Sequence, residues 1–470
     1  MPLKTILLSL APIWLGAPLI AGETYCNPLD LDYKYTFEEQ WRNISYRSGA
    51  DPVLLQHEGG YLLFSTIAGG YWRSKDLMEW RHVKPAGWPE KDMVAPAALS
   101  AKGKVWLLQS TYETRPIYVL NDPFGTAPKL EVYNDQLPYL PGALGPWDPA
   151  FFYDEEKDEW HLYVGSSNLF PIYGIRLDES KRLNYVRHAL EMIVLRPELH
   201  GWERFGRDHR ETIKPFMEGA WVTKHREQYY LQYGAPGTEH NVYANGTYVS
   251  EKPLGPWTYQ AHNPVSYKPG GFVNGAGHGN TFQDKHGNYW NTGTPWIAVN
   301  YDFERRIAMF PAGFDKDGIM YGNNWKAMVD LRGEKRDRPN AYFELVEPVR
   351  ARFVRYEHVY VASPNLAISD IRVFGNTGGE PPAVPQKFTV RRDTDERNAH
   401  VTWEDVEGAV GYNVLWGIAP DKLYSCYQVW GDQRPRLEVR ALTVKQKYSF
   451  AIEAFNESGV SQRSEVVNVE

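Results

Sequence analysis

The sequence predicts an all-β protein in which a five-bladed β-propeller is followed by a short β-strand region and a smaller β-sandwich. A pattern of strand, tight turn and aromatic-rich strand occurs five times, at spacings of roughly 45 to 70 residues, as expected for blades repeated around an axis. Aromatic residues make up 14% of the chain, with 17 Trp and 31 Tyr, which favours β-structure over a helical bundle. The 33 Pro and 40 Gly fit many short strands joined by turns.

Each copy of this pattern begins at a turn, and the five copies begin at Asp51, Ala95, Asp148, Glu218 and Gly277. Because the inner strands of a propeller surround its axis, residues at one structural position of each copy are expected to converge. Three of the five positions hold a carboxylic acid: Asp51, Asp148 and Glu218. A single Asp-Pro pair is a common turn former, but its recurrence together with Glu218 favours catalysis.

Three converging acids are suited to hydrolysing a glycosidic bond. One carboxyl group must stay protonated to donate to the leaving oxygen, and one carboxylate must activate water from the opposite face. A third acid raises the pKa of the donor by like-charge repulsion and holds it in place. Asp51, Asp148 and Glu218 therefore predict a glycosidase, whereas the acids at 154–159 are expected to form a solvated hairpin tip.

The composition limits the other possibilities. With 470 residues the chain is expected to hold two or three domains. Its formal net charge is −7 and no block of Lys and Arg is present, which argues against a nucleic-acid partner.

Residues 1–22 have the features of a signal peptide. Lys4 supplies a positive charge, residues 6–19 are mostly apolar, and small residues precede Glu23. No later stretch is long and apolar enough to cross a bilayer. We therefore expect a secreted or periplasmic protein without a transmembrane segment.

The propeller is expected to span residues 23–340. It includes a long segment at 179–215 that is expected to be an insertion or a loop over one face. Residues 341–382 are expected to form a β-strand extension and a Gly/Pro linker. The alternating pattern at 342–374 resembles the closing strands of a discoidin-type sandwich, but it is too short to form a whole one.

Residues 383–470 resemble a fibronectin type III domain in length and landmarks. Trp403 follows an alternating stretch, residues 412–416 read as a central strand, and Leu442 with Tyr448 suits a tyrosine corner. Such a domain usually acts as a spacer, and no aromatic cluster indicates sugar binding.

The chain has two cysteines, Cys26 and Cys426, near opposite ends of the sequence. Export would permit a disulfide, but two cysteines in separate domains are more often separate thiols. Their number and spacing do not match a zinc site.

The ordered set of motifs resembles glycoside hydrolase family 43. The motifs are Asp-Pro at 51–52, Asp-Pro at 148–149, Glu-Gly-Ala-Trp at 218–221 and Gly-His-Gly at 277–279, and the resemblance covers about residues 27–322. It implies an inverting, five-bladed enzyme that acts on glycans containing arabinose or xylose. It also implies that Asp51 is the general base, that Glu218 is the general acid, and that Asp148 tunes and orients the acid.

The resemblance implies further site residues. His278 matches a histidine near the axis that helps to hold a central ion or water, and either Arg305 or Arg306 matches a substrate-binding arginine. The resemblance implies that no cofactor is required, and it leaves open whether a structural calcium ion lies at the axis. The other candidates for sugar contact are Trp72, Trp147, Trp221 and Asn168. The tryptophans could instead be blade core, and Trp147 and Trp221 are favoured because they lie near proposed acids.

These observations predict an exported, inverting exo-glycosidase, expected to be monomeric, that removes α-L-arabinofuranosyl or β-D-xylosyl units from plant-type oligosaccharides or polysaccharides. One alternative is a non-catalytic carbohydrate-binding propeller, against which the presence of all three acids argues. Another is a retaining fructan-type hydrolase, whose expected Asn-Asp-Pro-Asn-Gly motif is replaced by Gly-Ala-Asp-Pro-Val at 49–53. The identity of the sugar, and exo against endo action, depend on loops whose conformation the sequence does not give.

Overall fold

The computed structural model describes residues 28–323 and 379–470, apart from 30, 40–43, 111–114, 138, 272–273, 297–302 and 434. The predicted signal peptide, Cys26 and nearly all of the predicted 341–382 region lie outside these residues. In the described part of the chain, regular structure consists of β-strands and short 3-10 helices. The 3-10 helices are Glu179–Lys181, Gly201–Glu203 and Arg207–His209. None of these described helices has the length and apolar character that a membrane crossing requires.

Five antiparallel sheets follow one another along the chain after a hairpin of β1 (Tyr35–Glu39) and β2 (Ile44–Ser48). Blade one is β3 (Val53–His57), β4 (Gly60–Phe64), β5 (Tyr71–Ser74) and β6 (Arg81–Val83). Blade two is β7 (Ala97–Ala101), β8 (Lys104–Leu108), β9 (Arg115–Asn121) and β10 (Lys129–Leu137). Blade three is β11 (Ala150–Asp154), β12 (Glu159–Val164), β13 (Ile172–Asp178), β14 (Asn184–Tyr185) and β15 (Leu190–Ile193).

The last two blades follow the same plan. Blade four is β16 (Glu218–His225), β17 (Gln228–Ala235), β18 (Ala244–Ser250) and β19 (Thr258–Tyr259). Blade five is β20 (Asn274–Gly277), β21 (Thr281–Gln283), β22 (Tyr289–Trp296), β23 (Ala308–Phe314) and β24 (Met320–Gly322). The predicted all-β class and the predicted five-bladed propeller are confirmed.

The turns explain why the chain folds back inside each blade. In blade one the turn residues Glu58 and Gly59 have φ of 44° and 80°, and in blade two Lys102 and Gly103 have φ of 50° and 68°. Positive φ at both central residues is the type I′ geometry, whose twist matches that of the two strands it joins. Glycine adopts this conformation without strain, which favours it at the second position.

The inner strands form a closed ring, because β3, β7, β11, β16 and β21 each lie beside the next and β21 lies beside β3. The junction between blades five and one is held by polar and apolar contacts. The Asn280 side chain bonds to both the backbone N–H and the carbonyl of Leu54, at 2.9 Å each. The backbone N–H of Leu29 donates to the carbonyl of Ile307 at 2.7 Å, so the lead-in segment also spans this junction.

The C-terminal region is a sandwich of two sheets. The smaller sheet contains β25 (Thr389–Arg392), β26 (Ala399–Thr402) and β29 (Arg436–Val439). The larger contains β27 (Gly411–Gly417), β28 (Ser425–Trp430), β30 (Tyr448–Asn456), β31 (Gly459–Val460) and β32 (Val467–Val469). The Tyr448 hydroxyl accepts a hydrogen bond from the N–H of Thr443 at 3.0 Å, as in a tyrosine corner. The fibronectin type III assignment and the domain boundaries stay predictions.

The sandwich packs against the propeller rather than standing apart from it as a spacer. Trp202 from the 179–215 segment and Leu442 from the sandwich belong to one continuous buried core. The Arg204 side chain donates to Asn398 Oδ1 and to the carbonyl of Arg440, both at 2.6 Å. A second anchor joins the sandwich to blade five, where Lys422 Nζ lies 2.8 Å from Asp315 Oδ2. The 179–215 segment therefore connects the two domains.

Candidate active site

Residues with a left-handed backbone precede the inner strands at one end of the ring, which we call the mouth. The φ angles are 55° at Asp51, 38° at Ala95, 50° at Asp148 and 45° at His278. In blade four the left-handed residue is Gly219, at 61°, directly after Glu218. Aspartate and histidine adopt this conformation more readily than bulkier residues, which explains part of the residue choice at the mouth.

The mouth brings the three predicted acids and the predicted histidine together. His278 Nδ1 lies 3.1 Å from Asp51 Oδ1 and 3.7 Å from Asp148 Oδ2. One potential ligand atom from each of Asp148, Glu218 and His278 lies within 4.8 Å of the others. A Cβ atom at Gly219 would lie 2.5 Å from the His278 ring, so this close approach requires glycine. Four residues far apart in sequence therefore form one cluster.

Asp51 is held as a carboxylate. The Thr66 hydroxyl donates to Asp51 Oδ2, and Arg305 Nη1 lies 4.0 Å from Oδ1. Burial alone would raise the pKa of Asp51, but the charges of His278 and Arg305, together with the Thr66 hydrogen bond, hold that pKa below its ordinary value. The Asp51 backbone N–H donates to Thr294 Oγ1 at 3.2 Å, which fixes the turn.

Asp148 has the opposite character. Burial raises its pKa to about 7; the attraction of His278 opposes this rise, and the negative charges of Glu218 and Asp51 add to it. Its backbone N–H donates to Ser110 Oγ at 2.9 Å. Asp148 therefore holds a proton at mildly acidic pH, where Asp51 is ionised.

Glu218 lies beside this pair and is more exposed than Asp148. The Tyr243 hydroxyl donates to Glu218 Oε1, and the Ser166 hydroxyl donates to Oε2 at 3.1 Å. Burial raises the pKa of Tyr243 well above its ordinary value, so its hydroxyl keeps its proton. Burial lowers the pKa of His278, but the carboxylates around it outweigh that effect and raise the pKa overall, which favours the protonated imidazole.

The two adjacent arginines have different positions. Arg305 lies in the mouth beside Asp51. Arg306 instead donates to the backbone carbonyls of Arg47 and Arg305, and its guanidinium lies 5.5 Å from the centroid of the Tyr33 ring. The prediction that Arg306 binds substrate is wrong, because these contacts hold its side chain against the lead-in segment.

Two predicted sugar-contacting tryptophans are core residues. Trp221 is 7% exposed, and its indole N–H donates to the carbonyl of Thr281 at 3.0 Å. Trp72 is 1% exposed and packs edge-on against His82 within blade one. Neither ring has a free face for a sugar, so both predictions are wrong.

The other two predicted sugar contacts remain near the acids. Trp147 is half-buried and directly precedes Asp148. Asn168 is half-buried in a loop whose Ser167 pairs with Met217, the residue before Glu218. Sugar contact by Trp147 and Asn168 stays a prediction.

Several supporting residues were not identified from the sequence. They are Thr66, Ser110, Ser166, Tyr243 and Thr294. Each is a single hydroxyl in an ordinary sequence context, and no local motif distinguishes it. The only available signal for Ser166 is its position two residues before Asn168, in a loop already expected to shape the pocket.

The residues at the mouth do not fit a structural calcium ion. The potential ligands are the Asp148 and Glu218 carboxylates and the His278 imidazole. Calcium prefers six to eight oxygen ligands, whereas this group offers two carboxylates and one imidazole nitrogen. We therefore derive no step of a reaction through a metal, and a water-mediated role for His278 stays a prediction.

A ring of antiparallel blades whose mouth holds a glutamate and two aspartates with opposite pKa shifts has the features of a propeller glycosidase. The family model described as "Glycosyl hydrolases family 43" matches residues 43–320, which is more than half of the chain. The chain belongs to this family, and its activity is the hydrolysis of O-glycosyl bonds.

Solved structures of similar fold include a thermostable family-43 glycoside hydrolase, at 21% identity and a TM-score of 0.50, with coverage of 65% of this chain and 97% of that one. The Bacteroides ovatus xyloglucan PUL GH43B has 15% identity, a TM-score of 0.48 and 90% coverage of both chains. An exo-1,5-alpha-L-arabinanase from a bovine ruminal metagenomic library has 19% identity, a TM-score of 0.44 and coverage of 61% of this chain and 99% of that one. No curated protein matches the sequence. Because its identity is only 21%, the first of these structures supports the fold of this chain and nothing further.

Proposed function

We propose that this protein is an exported, inverting, exo-acting α-L-arabinofuranosidase or β-D-xylosidase that acts on fragments of plant-type polysaccharides. The observation that carries the proposal is the unequal protonation of the acids, with Asp51 favoured as a carboxylate and the pKa of Asp148 raised to about 7. A glycosidase of either stereochemical class requires one ionised and one protonated carboxyl group at the same pH, and the proposal of inversion rests on the family resemblance. The preference for arabinose or xylose rests on the family resemblance of the motifs.

Asp51 acts as the general base in this proposal. It removes a proton from a water molecule, and the water oxygen then forms a bond to the anomeric carbon. The bond from that carbon to the leaving oxygen breaks, and its electron pair stays on the leaving oxygen. Arg305 and His278 keep Asp51 ionised before the reaction, and Thr66 holds one of its oxygens in place.

Glu218 acts as the general acid and gives its proton to the leaving oxygen. Asp148, whose pKa is raised to about 7 by burial, lies beside Glu218 and is its protonated neighbour at mildly acidic pH. Glu218 is the more exposed of the two and is therefore placed to meet the substrate. The hydroxyls of Tyr243 and Ser166 can accept as well as donate hydrogen bonds, so they accommodate both protonation states of Glu218.

Export and the monomeric state belong to the same proposal. Export is supported by the signal-like residues 1–22, which lie outside the described part of the chain. Trp147 and Asn168 are proposed to contact the sugar that is removed.

The test is hydrolysis of aryl α-L-arabinofuranoside and aryl β-D-xyloside, with the first-formed sugar anomer identified by proton NMR. Release of one of these sugars with inverted configuration supports the proposal. Release with retained configuration would contradict an inverting mechanism. Binding of oligosaccharide without release of any sugar would instead indicate a non-catalytic propeller.

A further inference from the structure

A row of three polar side chains crosses blade five beside the acids. Asn274 on β20 is the direct partner of Trp296 on β22, and Trp296 forms an antiparallel bridge with Arg305. Directly opposed residues of antiparallel strands place their side chains on one face of the sheet. Arg305 and Thr294, which is two residues before Trp296 on the same strand, both contact Asp51. The row therefore extends outward from the base along the mouth.

The row offers unused hydrogen-bonding capacity. Asn274 Oδ1, Trp296 Nε1 and Arg305 Nε are buried atoms that have no hydrogen-bond partner among the described residues. Leaving a buried donor or acceptor unsatisfied typically costs about 1–3 kcal/mol, so such atoms are uncommon unless a ligand uses them. One acceptor and two donors on one face match sugar hydroxyls, which both donate and accept.

A cation covers the indole at the centre of this row. The Arg207 guanidinium lies 5.8 Å from the centroid of the Trp296 ring. Arg207 is exposed and belongs to the 179–215 segment, which is held by contacts with both the C-terminal sandwich and the propeller. Arg204 bonds to Asn398, and His209 bonds to the Tyr267 hydroxyl at 2.8 Å. These contacts hold the loop in place, and the loop positions the Arg207 side chain beside blade five.

We propose that Asn274, Trp296 and Arg207 form a binding subsite for a second sugar unit of the substrate. The inference rests on the proposed function, in which the enzyme removes a terminal sugar, so the second unit is part of the leaving group. The indole N–H and the Asn274 carbonyl oxygen bind hydroxyls of this unit, and Arg207 closes over it from the inserted loop. The C-terminal sandwich contributes to substrate selection indirectly, because it holds that loop.

The test compares a disaccharide or trisaccharide of the cleaved sugar with its aryl monoglycoside, which lacks the second unit. The Trp296→Phe variant removes the indole N–H, and Arg207→Ala removes the exposed cation. Each is expected to lower the ratio of kcat/KM on the oligosaccharide to kcat/KM on the aryl glycoside about tenfold, mainly through KM. Arg187→Ala, at an exposed site on the outer part of blade three, is the matched control and should keep the wild-type ratio.

An unchanged ratio in both variants, with wild-type melting temperatures, would overturn the subsite. If the wild-type protein hydrolyses none of these substrates, the proposed function fails, and the subsite is then tested by calorimetric titration with arabinotriose and xylotriose. Weakening of oligosaccharide binding by fivefold or more in both variants supports the subsite in that case. The subsite would be contradicted if the variants and the wild type bound the trisaccharides with equal affinity, or if none of these proteins bound them.

Discussion

Two buried carboxyl groups, Asp148 at the mouth and Glu203 under the C-terminal sandwich, both have a raised pKa. Burial raises the pKa of Asp148 to about 7 and that of Glu203 to about 8. Asp148 lies among charges, because His278, Asp51 and Glu218 surround it. Glu203 is fully buried and accepts hydrogen bonds from the Tyr233 hydroxyl at 2.6 Å and from the N–H of Arg196 at 2.5 Å.

The difference shows that a raised pKa by itself does not mark a catalytic acid. Glu203 is neutral because it sits in a packed core with neutral donors, and no substrate can reach it. Asp148 instead lies beside Glu218, which is partly exposed at the mouth. Access and charged neighbours, rather than the pKa, separate the functional acid from the structural one.

The largest expected effect comes from removing an acid at the mouth. Glu218→Gln and Asp51→Asn should each lower kcat by roughly 10²–10⁴-fold, because each removes one proton-transfer step. Glu203→Gln and the exposed control Glu155→Gln should retain wild-type kcat. A better leaving group needs less protonation, so an activated aryl glycoside should partly rescue Glu218→Gln but not Asp51→Asn. Steady-state kinetics on two aryl glycosides check this, and rescue of both variants would contradict the assigned roles.

A smaller effect is expected for Asp148→Asn, about 10- to 100-fold in kcat/KM. The variant replaces a buried carboxyl group, whose pKa is raised to about 7, with an amide that does not titrate. The alkaline limb of the kcat/KM profile, expected near pH 7 in the wild type, should therefore move away from that pH. An alkaline limb at its wild-type position would show that Asp148 does not tune the acid.

Glu203→Gln should change stability instead of activity. The pKa of Glu203 is raised on folding from 4.5 to about 8, so the folded state binds more protons than the unfolded state between these values. Wild-type stability should therefore fall as pH rises from about 4.5 to about 8, by up to about 5 kcal/mol. Urea denaturation at pH 5 and pH 8 should show that the free energy of unfolding of Glu203→Gln, relative to that of the wild type, is higher at pH 8 than at pH 5. The exposed control Glu155→Gln should show no such gain, and parallel behaviour of both variants would contradict a neutral Glu203.

The ring and the position of its acids could be predicted from the sequence because both depend on local signals repeated in each blade. Turn residues such as Asp51 and Asp148 mark where inner strands begin, and the repeat implies their convergence. The orientation of Trp221 could not be predicted, because a register shift between Glu218 and Trp221 interrupts the alternation that relates their side chains. Tyr243 reaches Glu218 from the far end of a long loop, and no sequence pattern encodes that approach.

Ala95, at one of the five left-handed positions, has a methyl side chain that takes no part in the proposed chemistry. Its backbone N–H donates to Thr66 Oγ1 at 2.9 Å, and the same Thr66 hydroxyl donates to Asp51. Although Ser110 of blade two contributes its hydroxyl, Ala95 takes part in the proposed chemistry through its main chain alone. A main-chain hydrogen bond of this kind does not depend on the identity of the side chain. A search of related sequences for invariant side chains would therefore overlook it. An alanine scan would also miss it, because the residue is already alanine.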